Sequence, residues 1–454
     1  MKPVEFSSAA AAFVHGLQNE TVPAPILARA RVLLLNSYAI GLGGMELPVA
    51  RTARTAALLQ GSQAAGGATL LGSRQRVPLT AAMQANAALF HARVQDDTNG
   101  SSHFGVVLVP MLTALAESGL PLVDFLPSLV AGYEIGALLD SRLSRGSAAH
   151  GFRGTPLFGA VAAAASASRY MGLPVEQVRV ALAMSASFTG GLLQSFSQGT
   201  DEWRLQPGVA ATLGYLAATY AAAGATGSTS AFSGTHGFGG VFAGDAAQLA
   251  SAADSLGVEW AVENVTFKPF PVAMFNQAVV HAGRKLRGHL AGGKPKRVSI
   301  SLHPFEAAYP SIADPGPFES SAGALMSAPV CLALTLADGE PTLANLEASA
   351  LGDVRDVAAV TTVIADASLE RLSCRVSVEC ADGRTFEVTA GGGFDTATFD
   401  LPDALGVLQS ICVQHRIPHR AAELLHGFVC SLPGGDIDGV AEAFAMAPAT
   451  RAPS

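Results

Sequence analysis

The stretch Val94-Gln95-Asp96-Asp97-Thr98-Asn99-Gly100-Ser101-Ser102-His103 separates two helix-like segments, Ala81 to Ala92 and Val106 to Glu117. It brings two carboxylates, a hydroxyl and an imidazole together in a chain with only 14% charged residues. Read as a turn between packed helices, it makes this part of the protein a helical domain whose polar groups are held on a loop by rigid flanks, where function is often carried. Capping of the following helix by Asp or Asn is the competing account of each acidic residue taken singly. His103 is the one group of the cluster that titrates near neutral pH, so it is a candidate proton carrier.

Working outward, helical periodicity runs from about residue 5 to 250. It is clearest in Pro25 to Leu42, Pro156 to Met171, Val175 to Phe196 and Gly208 to Ala223, with breaks at Gly, Pro or Asn. Alanine is frequent there, and small side chains let helices approach closely, which predicts several packed antiparallel hairpins. Near residue 258 β-branched runs begin: Val258 to Phe267, Arg297 to His303, Ala358 to Asp366, Leu372 to Cys380 and Thr385 to Ala390. Asp382-Gly383 between the last two reads as a hairpin turn, and Cys374 and Cys380 fall on one face of one strand. Helical pattern resumes after Pro402, in Ala404 to His415 and Ala421 to Cys430. The expected fold is α plus α+β: a large all-helical domain, residues 1–257 and 400–454, with an inserted smaller α+β lid domain, residues 258–399. A cleft between two such domains is a common small-molecule site. The Ala/Pro-rich tail from Met446 to Ser454 is expected to fray.

At 454 residues the chain exceeds the size of a single core, which also predicts two domains. Hydrophobic residues make up 49%, and so low a charged fraction predicts a homodimer. The net charge of −8, with no Lys/Arg-rich tract, argues against a nucleic-acid partner. Five cysteines stand singly with no CxxC pair, and the amino-terminal residues lack the features of a secretory signal. A cytoplasmic location is expected. Leu205 to Gly244 has no charged residue but is built from Ala, Gly, Ser and Thr, so helix packing is expected and no membrane span.

Gly237-Phe238-Gly239-Gly240 lacks the dinucleotide spacing, and there is no GxxxxGK[ST], HExxH or GxSxG. Pro418 breaks the helix that would align His415 with His419 on a metal. No cofactor and no metal are expected.

Several segments occur together in order: Leu35-Asn36-Ser37 through Gly41; Asp96-Asp97-Thr98 to His103 followed by Pro110-Met111-Leu112-Thr113-Ala114; and Ala131-Gly132-Tyr133-Glu134. Gly208-Val209-Ala210-Ala211, Gly224-Ala225-Thr226-Gly227 with Gly237-Phe238, and Lys268-Pro269-Phe270-Pro271 follow. In this order and spacing the chain resembles, over nearly its whole length, the MmgE/PrpD family, which includes 2-methylcitrate dehydratase, cis-aconitate decarboxylase and iminodisuccinate epimerase. The resemblance implies a helical domain with an α+β lid, a dimer, and a cleft for a di- or tricarboxylate that works without metal or organic cofactor. It carries over Thr98, His103, Lys268 and Tyr309. Where the dehydratase and decarboxylase branches have an acidic residue, a histidine and a lysine, this chain has Val94, Arg153 and Trp203.

Those three replacements shift the expectation toward a cofactor-independent epimerase of a polycarboxylate such as iminodisuccinate. Arg153, Arg204 and Arg93 would hold carboxylates by bidentate hydrogen bonds and offset charge as it develops beside the reacting carbon, with Asp96 counted among the substrate-binding groups. Lys268, Tyr309 and His103 are candidates for base and acid, the site closing across the domain interface. Asp97 would orient or charge-balance His103, and Thr98 would hydrogen-bond a carboxylate or a backbone group. The alternative is a lyase, a dehydratase or decarboxylase of a tricarboxylate such as 2-methylcitrate or cis-aconitate, using His103, Lys268 and Tyr309.

Overall fold

In a computed structural model, residues 5–62, 66–290, 293–391 and 399–447 are described. The chain divides into two compact units: Met1–Leu192 with Arg204–Thr266 and Ala397–Ser454, and Leu193–Trp203 with Phe267–Thr396. The change of unit thus falls after Thr266, later than residue 257, and a short segment around residue 198 belongs to the second unit.

The first unit is helical apart from one short antiparallel pair, Ala68–Thr69 with Arg76–Val77, so it is not the all-helical domain expected. The helices that position the polar cluster are Ala24–Gly43 (α1), Leu79–His91 (α2), Gly105–Glu117 (α3), Phe125–Ala149 (α4), Gly154–Tyr170 (α5) and, from Arg204 onward, Glu202–Ala222 (α6). Every residue of α5 is buried, which its run of alanines allows. Small residues set the spacing around it. A Cβ on Gly136 of α4 would come within 2.9 Å of Ala162 Cβ, and one on Gly214 of α6 within 2.4 Å of Ala163 Cβ. Helices α1 and Leu122–Ala149 are long and apolar enough to cross a membrane, yet 83% of each apolar window is buried within the protein. They are core helices of this bundle by that measure. Helices Leu401–Gln414, His419–Ser431 and Asp438–Ala445 also belong to the unit.

Two sequence expectations change here. Val175 to Phe196 is not one helix: it stops at Phe188, followed by Gly190 and Gly191, the latter at φ +117. Val258 to Phe267 is not a strand. Ala261–Asn264 forms a 3-10 turn, and only isolated bridges occur, Glu259 with Leu256 and Thr266 with Thr98. The reason lies in α4, where the Glu134 carboxylate accepts the backbone N–H groups of Ala261 (2.9 Å) and Val262 (3.2 Å), so these donors go to a side chain and not to a neighbouring strand.

The second unit contains a four-stranded sheet of Pro295–Leu302 (β1), Thr361–Ala365 (β2), Cys374–Cys380 (β3) and Thr385–Ala390 (β4), in the order β2-β1-β3-β4. Strand β1 is parallel to β2 and antiparallel to β3, and β3 pairs antiparallel with β4. Gly383, at φ +86, makes the turn between β3 and β4. Cys374, Val376, Val378 and Cys380 alternate inward on β3, against the helix Met274–Leu290, which packs on β3 and β4 and on the helix Ala328–Asp338. A mostly helical chain with a smaller α+β portion is therefore the architecture. All five cysteines are unpaired, four of them buried. Of the tail expected to fray, residues 448–454 lie outside the described residues.

Candidate active site

Helix α2 ends at His91, and the chain reverses through Val94, whose φ of 61 is left-handed. That region is costly for a β-branched residue and is found where surrounding structure enforces it, often near function. The reversal returns Asp96 to the end of α2. The turn that follows closes with mutual backbone hydrogen bonds between Asn99 and Ser102 (2.9 and 3.1 Å), with Gly100 at φ 63. Asp140 of α4 pins it, accepting from Ser101 N (3.1 Å), Ser101 Oγ (2.6 Å) and Ser102 Oγ (2.6 Å). A Cβ on Gly100 would lie 2.1 Å from Asp140 Oδ2, so the residue has to be glycine for contact as well as for φ.

At the centre the buried Asp96 carboxylate joins two imidazoles. Its Oδ1 is 3.0 Å from His91 Nδ1 and its Oδ2 is 2.9 Å from His103 Nδ1. The ring centroids are 5.5 Å apart. His103 Nδ1 also faces the main-chain oxygen of Asp97 (2.9 Å) and Thr98 Oγ1 (3.2 Å). A carboxylate and a carbonyl only accept, so His103 Nδ1 carries a proton and Nε2 is the nitrogen that can exchange one. The side chain of His103 is 14% exposed against 1% for His91 and 2% for Asp96, so among these three His103 is the one that reaches the surface.

Arg153, the residue before α5, donates from one terminal nitrogen to His91 Nε2 (2.9 Å) and from the other to Gln206 Oε1 of α6 (3.2 Å). Its own N–H is held by Gly191 O (3.0 Å), which fixes where α5 begins. Burial, together with the nearby charge of Arg153, pushes His91 down to about 3 against the opposing pull of Asp96. It is neutral.

The expected role of Asp97 falls to its neighbour. Asp96 orients His103 through its carboxylate, whereas the Asp97 carboxylate accepts from Tyr133 Oη of α4 (2.7 Å). Burial and the charge of Asp97 hold Tyr133 well above its ordinary range, and Arg29 of α1 acts electrostatically on both. A Cβ on Gly105 would come within 2.1 Å of Asp97 Oδ1, so α3 must begin with glycine for Asp97 to fit.

The structure therefore brings together Asp96, Asp97, Thr98, His103 and Arg153 from the sequence-derived set. Arg93 turns to another neighbourhood, bonded to Gly43 O (3.3 Å), Gln95 Oε1 (3.1 Å) and His415 Nε2 (2.9 Å). Arg204 is buried on the first turn of α6. In the second unit, Lys268 is buried just before Pro269, and the Tyr309 ring packs against Phe275 (5.0 Å), Phe305 (6.1 Å) and Phe196 (6.1 Å). His415 and His419 have different partners, Arg93 and Glu423. Among the described residues no group of three or more His, Cys, Asp or Glu is placed to hold a metal ion.

His91 and Gln206 were not singled out by the sequence, and Tyr133 stood there only within Ala131-Gly132-Tyr133-Glu134, with no role given to it. The one signal for His91 was its place five residues before Asp96, at the end of an apolar helix.

Residues 8–249 match the model of the MmgE/PrpD N-terminal domain, more than half of the chain. The chain belongs to the MmgE/PrpD family. Among curated relatives, a cis-aconitate decarboxylase-like protein of Aspergillus oryzae is 28% identical over 427 residues, covering 86% of each chain. The cis-aconitate decarboxylase of Mus musculus is 26% identical over 397 residues, 83% of this chain and 80% of the relative, and that of Homo sapiens 27% over 288 residues, 61% and 58%. These MmgE/PrpD relatives carry the name of a lyase. The expectation of an isomerase, an epimerase of iminodisuccinate, is corrected by that finding: the replacements at Val94, Arg153 and Trp203 that suggested it do not outweigh relatives named for decarboxylation.

Proposed function

We propose that this protein is a lyase that removes carbon dioxide from an unsaturated tricarboxylate of the cis-aconitate type. The observation that carries the reading is the Asp96–His103 pair on a MmgE/PrpD helical unit, with Nδ1 of His103 tied to a buried carboxylate at 2.9 Å. Decarboxylation breaks a carbon–carbon bond and leaves the bonding pair on the substrate, so one proton has to be delivered to carbon as carbon dioxide departs. The His103 imidazolium supplies it from Nε2. Asp96 stabilises the charged ring beforehand and keeps Nδ1 protonated afterwards, so the neutral ring presents Nε2 to water for reloading.

A substrate with three carboxylates needs fixed positive charge. Arg153, and Arg204 with it, is proposed for that task, together with Thr98 from the turn. Lys268 and Tyr309 are proposed for acid or base roles in turnover. A homodimer is proposed from the low charged fraction, and a sedimentation mass equal to one chain would remove it.

The test is to incubate the purified protein in deuterium oxide with cis-aconitate and, separately, with 2-methylcitrate, following both by proton NMR. Carbon dioxide loss from cis-aconitate with one deuteron entering the product is expected. Loss of water from 2-methylcitrate alone would replace decarboxylation by dehydration.

A further inference from the structure

His91 is buried and titratable, and the proton transfer just described does not use it. Its two ring nitrogens face opposite kinds of group: Nδ1 meets the Asp96 carboxylate at 3.0 Å, and Nε2 meets the Arg153 guanidinium at 2.9 Å. A carboxylate can only accept a hydrogen bond and a guanidinium can only donate one. Each nitrogen therefore has its state assigned from outside, Nδ1 protonated and Nε2 bare. The geometry points to His91 as a positioning residue that Arg153 locks into one neutral tautomer, so that it always donates to Asp96 and never takes the proton meant for His103.

The groups facing the ring are Asp96 and His103 from the turn and Arg153 from the start of α5, with Gln206 of α6 holding Arg153 in place. A proton added at Nε2 would point at an N–H of Arg153 and set two cations against each other in a buried site, which burial further disfavours. With His91 held neutral, the Asp96 charge is not divided between two imidazoliums. His103 is then the ring that titrates against Asp96, with Asp97 O and Thr98 Oγ1 also at its Nδ1. If His91 could ionise, two imidazoliums would divide one carboxylate, and the two rings would titrate as a coupled pair.

This inference takes its reaction from the lyase reading, but its decisive test does not need a substrate. The full-length protein is labelled with nitrogen-15 at histidine, and the His91 signals are identified by their loss in His91→Asn. The expected result is one protonated nitrogen and one bare nitrogen, unchanged between about pH 5 and about pH 8, the range in which an ordinary histidine titrates. In Arg153→Met the lock is gone: Asp96 still holds a proton on Nδ1, and Nε2, no longer facing a cation, begins to take a second proton in this range. A wild-type His91 that titrates in this range, or that carries its proton on Nε2, would overturn the proposal. On cis-aconitate, His91→Ala is expected to lower kcat about tenfold with KM nearly unchanged and to move the pH profile, whereas Asn, whose amide can donate to Asp96 from near the Nδ1 position, recovers most of the loss. Equal damage by Ala and Asn would refute the donor role. Failure to turn over cis-aconitate would count against the lyase reading, while the NMR result would still decide the tautomer lock.

Discussion

Asp96→Asn changes one buried oxygen to nitrogen and isolates what the carboxylate does. Asp96 accepts from two imidazole N–H groups, at 3.0 and 2.9 Å, and an amide offers one acceptor oxygen and one NH2. His91 is bonded at its far nitrogen by Arg153, so its Nδ1–H keeps the amide oxygen and the NH2 turns to His103. An NH2 facing His103 Nδ1 drives the ring proton to Nε2 and removes the negative charge that stabilises the imidazolium. A charge-assisted hydrogen bond is worth about 1.5–3 kcal/mol, and one pKa unit is about 1.4 kcal/mol, so the imidazolium loses about 1–2 units. The sign follows from which form acts. The proton donor is the charged ring, so activity falls as pH rises through its pKa, and that falling limb moves to lower pH in the variant. The wrong tautomer adds to the loss, and with comparable buried carboxylate–imidazole pairs as the guide kcat should fall about 10²–10⁴-fold. The assay is carbon dioxide release from cis-aconitate across pH, with circular dichroism and thermal melting to show that the variant is folded. A folded Asp96→Asn protein with kcat within about threefold of wild type and an unmoved limb would refute the reasoning.

Three further predictions concern the neighbours of this pair. Tyr133→Phe removes the donor to the Asp97 carboxylate and should cost about 1–3 kcal/mol of stability in denaturant titration, while leaving the falling limb of the pH profile in place; a moved limb would mean that Asp97 also acts on His103. Glu134 is pushed up to about 7 by burial, against the two backbone N–H groups it accepts. A carboxyl whose folded pKa lies above its unfolded value stabilises most at low pH, and that stability is lost as pH rises from about 4.5 to about 7, here up to about 3 kcal/mol. Glu134→Gln should flatten this slope and leave the variant relatively more stable above neutral pH, as read from melting temperatures against pH. Gly105→Ala places a Cβ 2.1 Å from Asp97 Oδ1 and 2.9 Å from Tyr133 Oη and should destabilise by about 1–3 kcal/mol; a neutral effect would mean that the start of α3 yields.

The helical half was legible because its signal is local: apolar periodicity, and small residues where helices touch, as at Gly136 and Gly214. The strand expected over Val258 to Phe267 failed because propensity says nothing about who accepts the backbone N–H groups. There the acceptor is Glu134, more than a hundred residues earlier in the chain. The turn holding the site was visible as a cluster of polar residues, but not which of two adjacent carboxylates would face His103. The choice depends on the left-handed turn at Val94, a residue type that rarely adopts it, and so the sequence favoured Asp97 where the structure uses Asp96. His91 was unreadable for another reason. A single histidine at the end of an apolar helix looks like a core residue until Arg153, brought in from the start of another helix, is seen at its far nitrogen.

The most direct test of the central claim is release of labelled carbon dioxide from carboxyl-labelled cis-aconitate, comparing the wild-type protein with a folded His103→Gln variant. Steady release by the wild type and a loss of about 10²-fold or more in the variant are expected, the range for removal of a general acid. Equal release by both proteins would contradict it, and so would recovery of intact substrate from the wild type.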